Sequence, residues 1–137
     1  MKKDGFTLIE LMIVVIIIGA LAAMVLPRFG GRSEQARADV ARSDISANIA
    51  SGLKLYELDN GNFPTTEQGI TALLAKPASP PAPLNWAGPY IERKPLDPWG
   101  RPYRYKCPGA HNPMGYDLYS LGKDGQEGTG DDIKNWE

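Results

Sequence analysis

The hydrophobic and polar positions of this chain form three unlike patterns. From Leu11 to Leu26 there is no charged residue, and the apolar run extends back to Phe6 as FTLIELMIVVIIIGALAAMVL. As a helix this segment is about 31 Å long, enough to cross the hydrocarbon core of a bilayer. From Ser33 to Leu58 the pattern changes. Ala41, Ile45, Ile49, Leu53 and Tyr56 recur at three- and four-residue spacing, which predicts an amphipathic helix with Arg37, Asp39, Arg42, Asp44 and Lys54 on its wet side. Ser33, Glu34 and Gln35 suit a helix start, and Asp59-Asn60-Gly61-Asn62 a stop.

The third pattern is broken by proline. Eleven of the twelve prolines lie between Pro64 and Pro113, so this stretch is not mainly helical. Thr66–Lys76 is expected to form one short helix with Ile70, Leu73 and Leu74 on its apolar face, ended by Pro77. Ala78–Pro83 reads as a rigid loop. Tyr90-Ile91, Tyr103–Lys106 and Tyr116–Tyr119 are strand candidates separated by Pro and Gly. The chain therefore reads as α+β, a long N-terminal helix on a small antiparallel sheet. Between the two helical segments lie Pro27 and Gly30-Gly31. Either they kink the chain between its two halves, or they form a segment that unwinds on demand; the sequence leaves both open.

Composition alone hides this organisation. The chain has 137 residues, 42% hydrophobic and 23% charged, and a formal net charge of -1. These averages exclude collagen-like repeats, a disulfide scaffold and wholesale disorder. The near-zero charge also argues against nucleic acid as a partner. Yet residues 117–137 hold six acids and two bases, while the rest of the chain is net basic. Within that tail, Asp124, Asp131 and Asp132 are interleaved with glycines. On composition this is equally an acidic solvated loop or an oxygen-rich site for a hard cation such as calcium, and it lacks the register of an EF-hand. Cys107 is the only cysteine, so no intramolecular disulfide exists; it reads as a packing residue. His111 is the only histidine and has no nucleophile pattern near it. No phosphate loop, dinucleotide fingerprint or zinc motif is present, and a non-enzymatic role is expected.

The apolar run admits three readings: a cleaved secretory signal with Ala20-Leu21-Ala22 as its cut site, a plain membrane anchor, or a membrane-stored helix that later packs against copies of itself. Glu10 favours the third, unless its position only four residues into the run sets it near the membrane interface, where it costs little. A carboxylate inside an apolar span costs on the order of 2.5–3.5 kcal/mol, and neither a signal nor an anchor gains from it. Gly5-Phe6-Thr7-Leu8-Ile9-Glu10, behind Lys2 and Lys3, resembles the class III signal of type IV pilins and pseudopilins. The resemblance implies cleavage after Gly5 by a prepilin peptidase and methylation of the new amine of Phe6. It also implies a filament in which Glu10 neutralises the Phe6 amine of a neighbour. Asp4 departs from the usual basic or neutral leader.

Asp97-Pro98-Trp99-Gly100-Arg101-Pro102-Tyr103-Arg104-Tyr105 is similar to the DPWG-x-PY-x-Y signature of the major pseudopilins of type II secretion. That resemblance implies a type IV pilin-like fold. It divides the chain into a leader (1–5), a transmembrane and filament-core helix (6–26) and a periplasmic domain (27–137). The domain is expected to hold a helix (33–58), a loop region (59–89) and a small sheet with its calcium loop (90–137). One structural calcium is implied, held by the side chains of Asp124, Asp131 and Asp132, the carbonyls of Leu121 and Gln126, and an oxygen of Thr129. The implied role is the major subunit of a helical pseudopilus that drives folded proteins through the outer-membrane secretin. Its partners would be further copies, minor pseudopilins, the inner-membrane assembly platform and the peptidase. The implied location is the bacterial inner membrane, crossed once, with the C-terminal domain in the periplasm. Alternatives are a type IV pilin or competence-type pilus subunit, and a membrane-tethered calcium-binding periplasmic module.

Overall fold

A computed structural model describes residues 5–137, with residues 26–30 described as backbone only. The leader residues 1–4, Asp4 among them, lie outside the described residues. The chain forms two compact units, one ending at Ala36 and one spanning Arg37–Glu137. Helix α1, Leu8–Ser43, belongs to both.

The expected interruption at Pro27–Gly31 is not a helix end, and no new helix starts at Ser33. Once nucleated, a helix propagates cheaply, and Arg32 to Arg42 is rich in Arg, Ala, Glu and Gln, all good helix formers. After α1 comes one π-helical turn, Asp44–Asn48, and then α2, Ile49–Asn60. Ser43 and Ile49 on either side keep right-handed helical dihedrals, so the path does not break.

The π turn solves a problem of phase. Three successive four-residue steps drift around an α-helix by roughly 40° each, because four residues overshoot a 3.6-residue turn. A turn closed by i→i+5 bonds takes up the excess. Ala41, Ile45, Ile49, Leu53 and Tyr56 all remain on one face and are at most 3% exposed. Helix α2 stops where the turn residues predict: Gly61 takes φ +80° and donates its N–H to the Glu57 carbonyl.

Thr66–Lys76 is not the expected helix. It is a turn followed by a 3-10 helix of four residues, Ile70–Leu73. Gly69 adopts φ +60° and ψ -169°, which no helix accommodates. Thr65 and Gln68 cap one another through side chain and backbone. The buried Gln68 amide also donates to the carbonyls of Ser79 and Pro81, which fastens the proline-rich loop. Tyr90-Ile91 is not a strand either. The Tyr90 N–H donates to the Leu73 carbonyl, and its hydroxyl donates to Asp59 and accepts from Ala87 N–H.

The sheet has three antiparallel strands in the order β1 (Arg104–Lys106), β2 (Asp117–Ser120), β3 (Ile133–Lys134). Arg104 faces Tyr119, and Ser120 faces Ile133. The first two strands lie within one residue of the expected segments. The third was not expected, because two residues carry no periodic signal. The side chain of Asn135 prolongs the pairing: its Oδ1 accepts from Leu118 N–H, and its Nδ2 donates to the Tyr116 carbonyl. Leu118, Tyr103 and Ile133 meet Leu73 and the buried helix face in one core.

The loop from Cys107 to Tyr116 is built around one carboxylate. Asp117, 3% exposed, accepts backbone N–H bonds from Ala110, His111 and Asn112 at 2.8–3.0 Å. His111 Nδ1 lies 3.1 Å from the same group. Burial pushes the Asp117 carboxyl up, but the His111, Asn112 and Ala110 donors outweigh it and hold it below the usual aspartate value.

Two outcomes test this account. Leu118→Ala removes a fully buried side chain and should cost about 3 kcal/mol. For a domain of this size that is roughly 15 °C in Tm, read by near-UV circular dichroism of the full chain in detergent. A loss of only a few degrees would contradict a tightly packed site. Asp117→Asn should cost about 2 kcal/mol at neutral pH, since an amide cannot accept from every donor. Because the folded value is lowered, the stabilisation is complete above the ordinary aspartate pKa of about 4 and is lost as pH falls below it. The variant should therefore lose part of the acid limb of the wild-type stability curve; parallel curves would refute the assignment.

Candidate functional site

At the N-terminus the structure joins two groups. Thr7 N–H and the Thr7 hydroxyl both donate to Glu10 Oε2, at 2.9 and 2.8 Å, and Glu10 N–H donates to Thr7 Oγ at 3.3 Å. This is a reciprocal capping box, and it places the start of α1 at Leu8. The T-x-x-E spacing marks Thr7 in the sequence, a residue that the signal motif leaves without a role beside Gly5, Phe6 and Glu10. Gly5 is open on all sides: a Cβ there would meet nothing within 4 Å. Phe6 is 86% exposed. From Leu8 to Val25 the mean hydropathy is 2.9, and every side chain is exposed. This helix is long and apolar enough to cross a membrane. An apolar surface of this size is not left to water.

The second candidate lies between β2 and β3. Asp131 Oδ2 accepts from Asp124 N–H at 3.0 Å, and the Thr129 hydroxyl donates to Asp131 Oδ1 at 2.6 Å. Asp124 Oδ1 accepts from Gln126 N–H, and Asp132 Oδ2 from Gly128 N–H, both at 2.8 Å. The Thr129 hydroxyl and then the Asp124 N–H hold the Asp131 carboxyl below the usual aspartate value. The six oxygen donors proposed from the sequence thus sit in one loop, but their carboxylates satisfy internal N–H groups. Among the described residues no three such side chains converge as a metal cluster.

The donor chemistry nevertheless suits a hard cation: three carboxylates, two carbonyls and a hydroxyl, with no nitrogen or sulfur. Asp132 Oδ1 is buried and has no hydrogen-bond partner, the kind of orphan that a cation satisfies. The loop neck is held by groups that the sequence reading did not assign. Asp97, 4% exposed, accepts from Trp99 N–H and Arg101 N–H through Oδ1, and from the Ser120 hydroxyl through Oδ2 at 2.7 Å. Ser120 Oγ in turn accepts from Gly122 N–H. The DPWG stretch is therefore a tight turn that anchors the end of β2.

The remaining chemistry-bearing side chains are structural. His111 stacks flat on Trp136, with ring centroids 4.1 Å apart, and clasps the C-terminal segment. Burial pushes the Cys107 thiol above the usual cysteine value, with the Tyr105 hydroxyl acting in the opposite sense, so thiolate is scarce at neutral pH.

Comparison with known proteins agrees with this layout. Residues 28–136 match the family model for type II secretion system (T2SS), protein G, and residues 1–26 match the prokaryotic N-terminal methylation motif. The type II secretion system core protein G of Pseudomonas aeruginosa is 50% identical over 140 residues, covering 99% of this chain and 96% of its own. The core protein G of Escherichia coli K12 is 47% identical, covering 98% and 92%. The crystal structure of the major pseudopilin from the type 2 secretion system of enterohaemorrhagic Escherichia coli is also similar. It aligns with a TM-score of 0.69 at 43% identity, over 77% of this chain and 87% of that one. The pilin-like architecture and the matched residues together place this chain in the type II secretion system protein G family.

Proposed function

We propose that this chain is the major structural subunit of a type II secretion pseudopilus, stored in the bacterial inner membrane and assembled into a helical filament in the periplasm. The observation that carries the reading is the uncovered apolar helix Leu8–Val25, which opens on a capped carboxylate within the methylation motif matched by residues 1–26. In the bilayer, lipid covers the helix; in the filament, helices of other copies do. The prepilin peptidase cuts after Gly5, and Phe6, 86% exposed, becomes the methylated N-terminus. Thr7 satisfies Glu10 within one subunit. On assembly the amine of a neighbour's Phe6 supplies the opposite charge, which offsets the desolvation of both groups in an apolar core. The inner-membrane platform and minor pseudopilins direct growth, and the filament carries folded proteins toward the secretin. The role is structural, with no reaction catalysed by the subunit.

The acidic loop is the second part of the proposal. Asp124, Asp131, Asp132, Thr129 and the carbonyls of Leu121 and Gln126 would hold one calcium ion. When bound, the ion supplies positive charge to clustered carboxylates and ties residues 121–132 to the sheet. The support is the all-oxygen donor set and the orphaned Asp132 Oδ1.

Glu10→Ala should leave processing intact and abolish filaments. Mass spectrometry should find methylated Phe6 at its N-terminus while electron microscopy finds no pseudopili on overexpression. Normal filaments from this variant would overturn the charge-pair role. Separately, calcium at about 100 times its Kd should stabilise the wild type by about 2.7 kcal/mol over the chelated protein, roughly 13 °C in Tm. Asp124→Ala should lower Tm and remove that response. Equal wild-type melting in calcium and chelator would sink the metal reading.

A further inference from the structure

The DPWG turn and the acidic loop meet at Arg101. Its backbone is fixed by Asp97, whose carboxylate accepts from Arg101 N–H at 2.8 Å. Its guanidinium then passes beneath the loop neck. Nη2 donates to the carbonyl of Gly122 and, at 3.2 Å, to that of Lys123. Gly125, at φ +70°, packs against the same group: a Cβ there would come within 2.8 Å of Nη1. Arg101 Nε is buried without a partner, as is Asp132 Oδ1 across the loop.

The charge balance gives this contact a purpose. Between Leu121 and Asp132 the chain carries Asp124, Glu127, Asp131 and Asp132 against Lys123 alone. Such a loop repels itself, and in the structure its carboxylates rely on backbone N–H donors of the same loop. A guanidinium is suited to the underside: it is weakly hydrated, and one planar nitrogen, Nη2, offers two N–H groups in fixed directions to the two carbonyls. The carbonyls it takes, Gly122 and Lys123, are not among the proposed ligands. They lie between Leu121 and Gln126, which are.

We propose that Arg101 is a positioning residue for the acidic loop, a tethered cation that clamps the Gly122 and Lys123 carbonyls and holds the loop on the sheet when no ion is bound. The Leu121 and Gln126 carbonyls, which accept within the loop from Gly125 N–H at 3.2 Å and from the Thr129 hydroxyl at 3.1 Å, each keep a second lone pair for a divalent cation, beside the three aspartates. Only this second part rests on the calcium reading.

The test is amide hydrogen exchange of the full chain in detergent micelles, read over residues 121–132, in EGTA and in millimolar calcium chloride. In EGTA, Arg101→Met should exchange at least about tenfold faster than wild type across the loop, with β1 and β2 unchanged. Calcium should restore most of the protection. Arg101→Lys keeps the charge but loses the reach and the fixed planar N–H directions, so it should fall between the two. Unchanged loop exchange in Arg101→Met, equal acceleration in the strands, or wild-type protection in Arg101→Lys would each overturn the clamp. A faster loop in EGTA that calcium does not slow, with wild type equally indifferent to calcium, would support the clamp and sink the metal reading instead.

Discussion

The domain depends on keeping five apolar side chains in line along one helix. Ala41, Ile45, Ile49, Leu53 and Tyr56 must all face the sheet, yet their spacing is slightly too long for a regular α-helix. The π turn at Asp44–Asn48 absorbs the mismatch. It also presents Asp44 to the Tyr103 hydroxyl at 2.8 Å, so the irregular turn is tied to the residue that precedes β1. Without it, a drifting face would carry either Ala41 or Tyr56 out of the core. The sheet is small, and it has no second layer to compensate.

Regular pairing is sparse beyond that face, and buried carboxylates fill the gap. Asp117 organises the loop before β2, and Asp97 organises the turn before β1 and reaches across to Ser120. Each gathers backbone N–H groups that strands would otherwise satisfy. A charged acceptor holds several donors at once, and each bond is stronger than a neutral one. The cost is sensitivity to isosteric change and, at Asp117, to acid, which a longer hydrogen-bonded sheet would not show.

Much of this was legible in the sequence, and the failures have physical causes. The apolar span, the buried helix face, the stop at Gly61 and two of the three strands each carry a periodic or turn-forming signal. The helix expected at Thr66–Lys76 failed because Gly69 breaks it and Gln68 turns inward to bond Ser79 and Pro81, a tertiary choice that periodicity does not report. Tyr90 looked like a strand residue because it is aromatic and flanked by prolines, but its backbone pairs with a helix carbonyl. Pro27 looked like a break, but local propensity yielded to propagation. At the candidate site, residue types pointed to the acidic loop and Glu10 as candidates. Thr7, Asp97, Ser120 and Arg101 act through contacts that only the fold brings together, although the T-x-x-E spacing did advertise Thr7.

The neck of the acidic loop carries a consequence for how the family can vary. Gly122 sits at φ +62° with the Asp131 backbone so near that a side chain would collide with it. The two arms therefore touch backbone to backbone before the loop opens out, and Asn135 fastens the returning arm to β2. Such a closed neck fixes the strand ends, while the loop beyond it still reaches back: the Tyr119 hydroxyl of β2 donates to Glu127 at 2.6 Å. The register of the sheet is thus set at the neck, by Gly122 and Asn135, so a change in the length of the Lys123–Gly130 segment would leave the strands paired as they are.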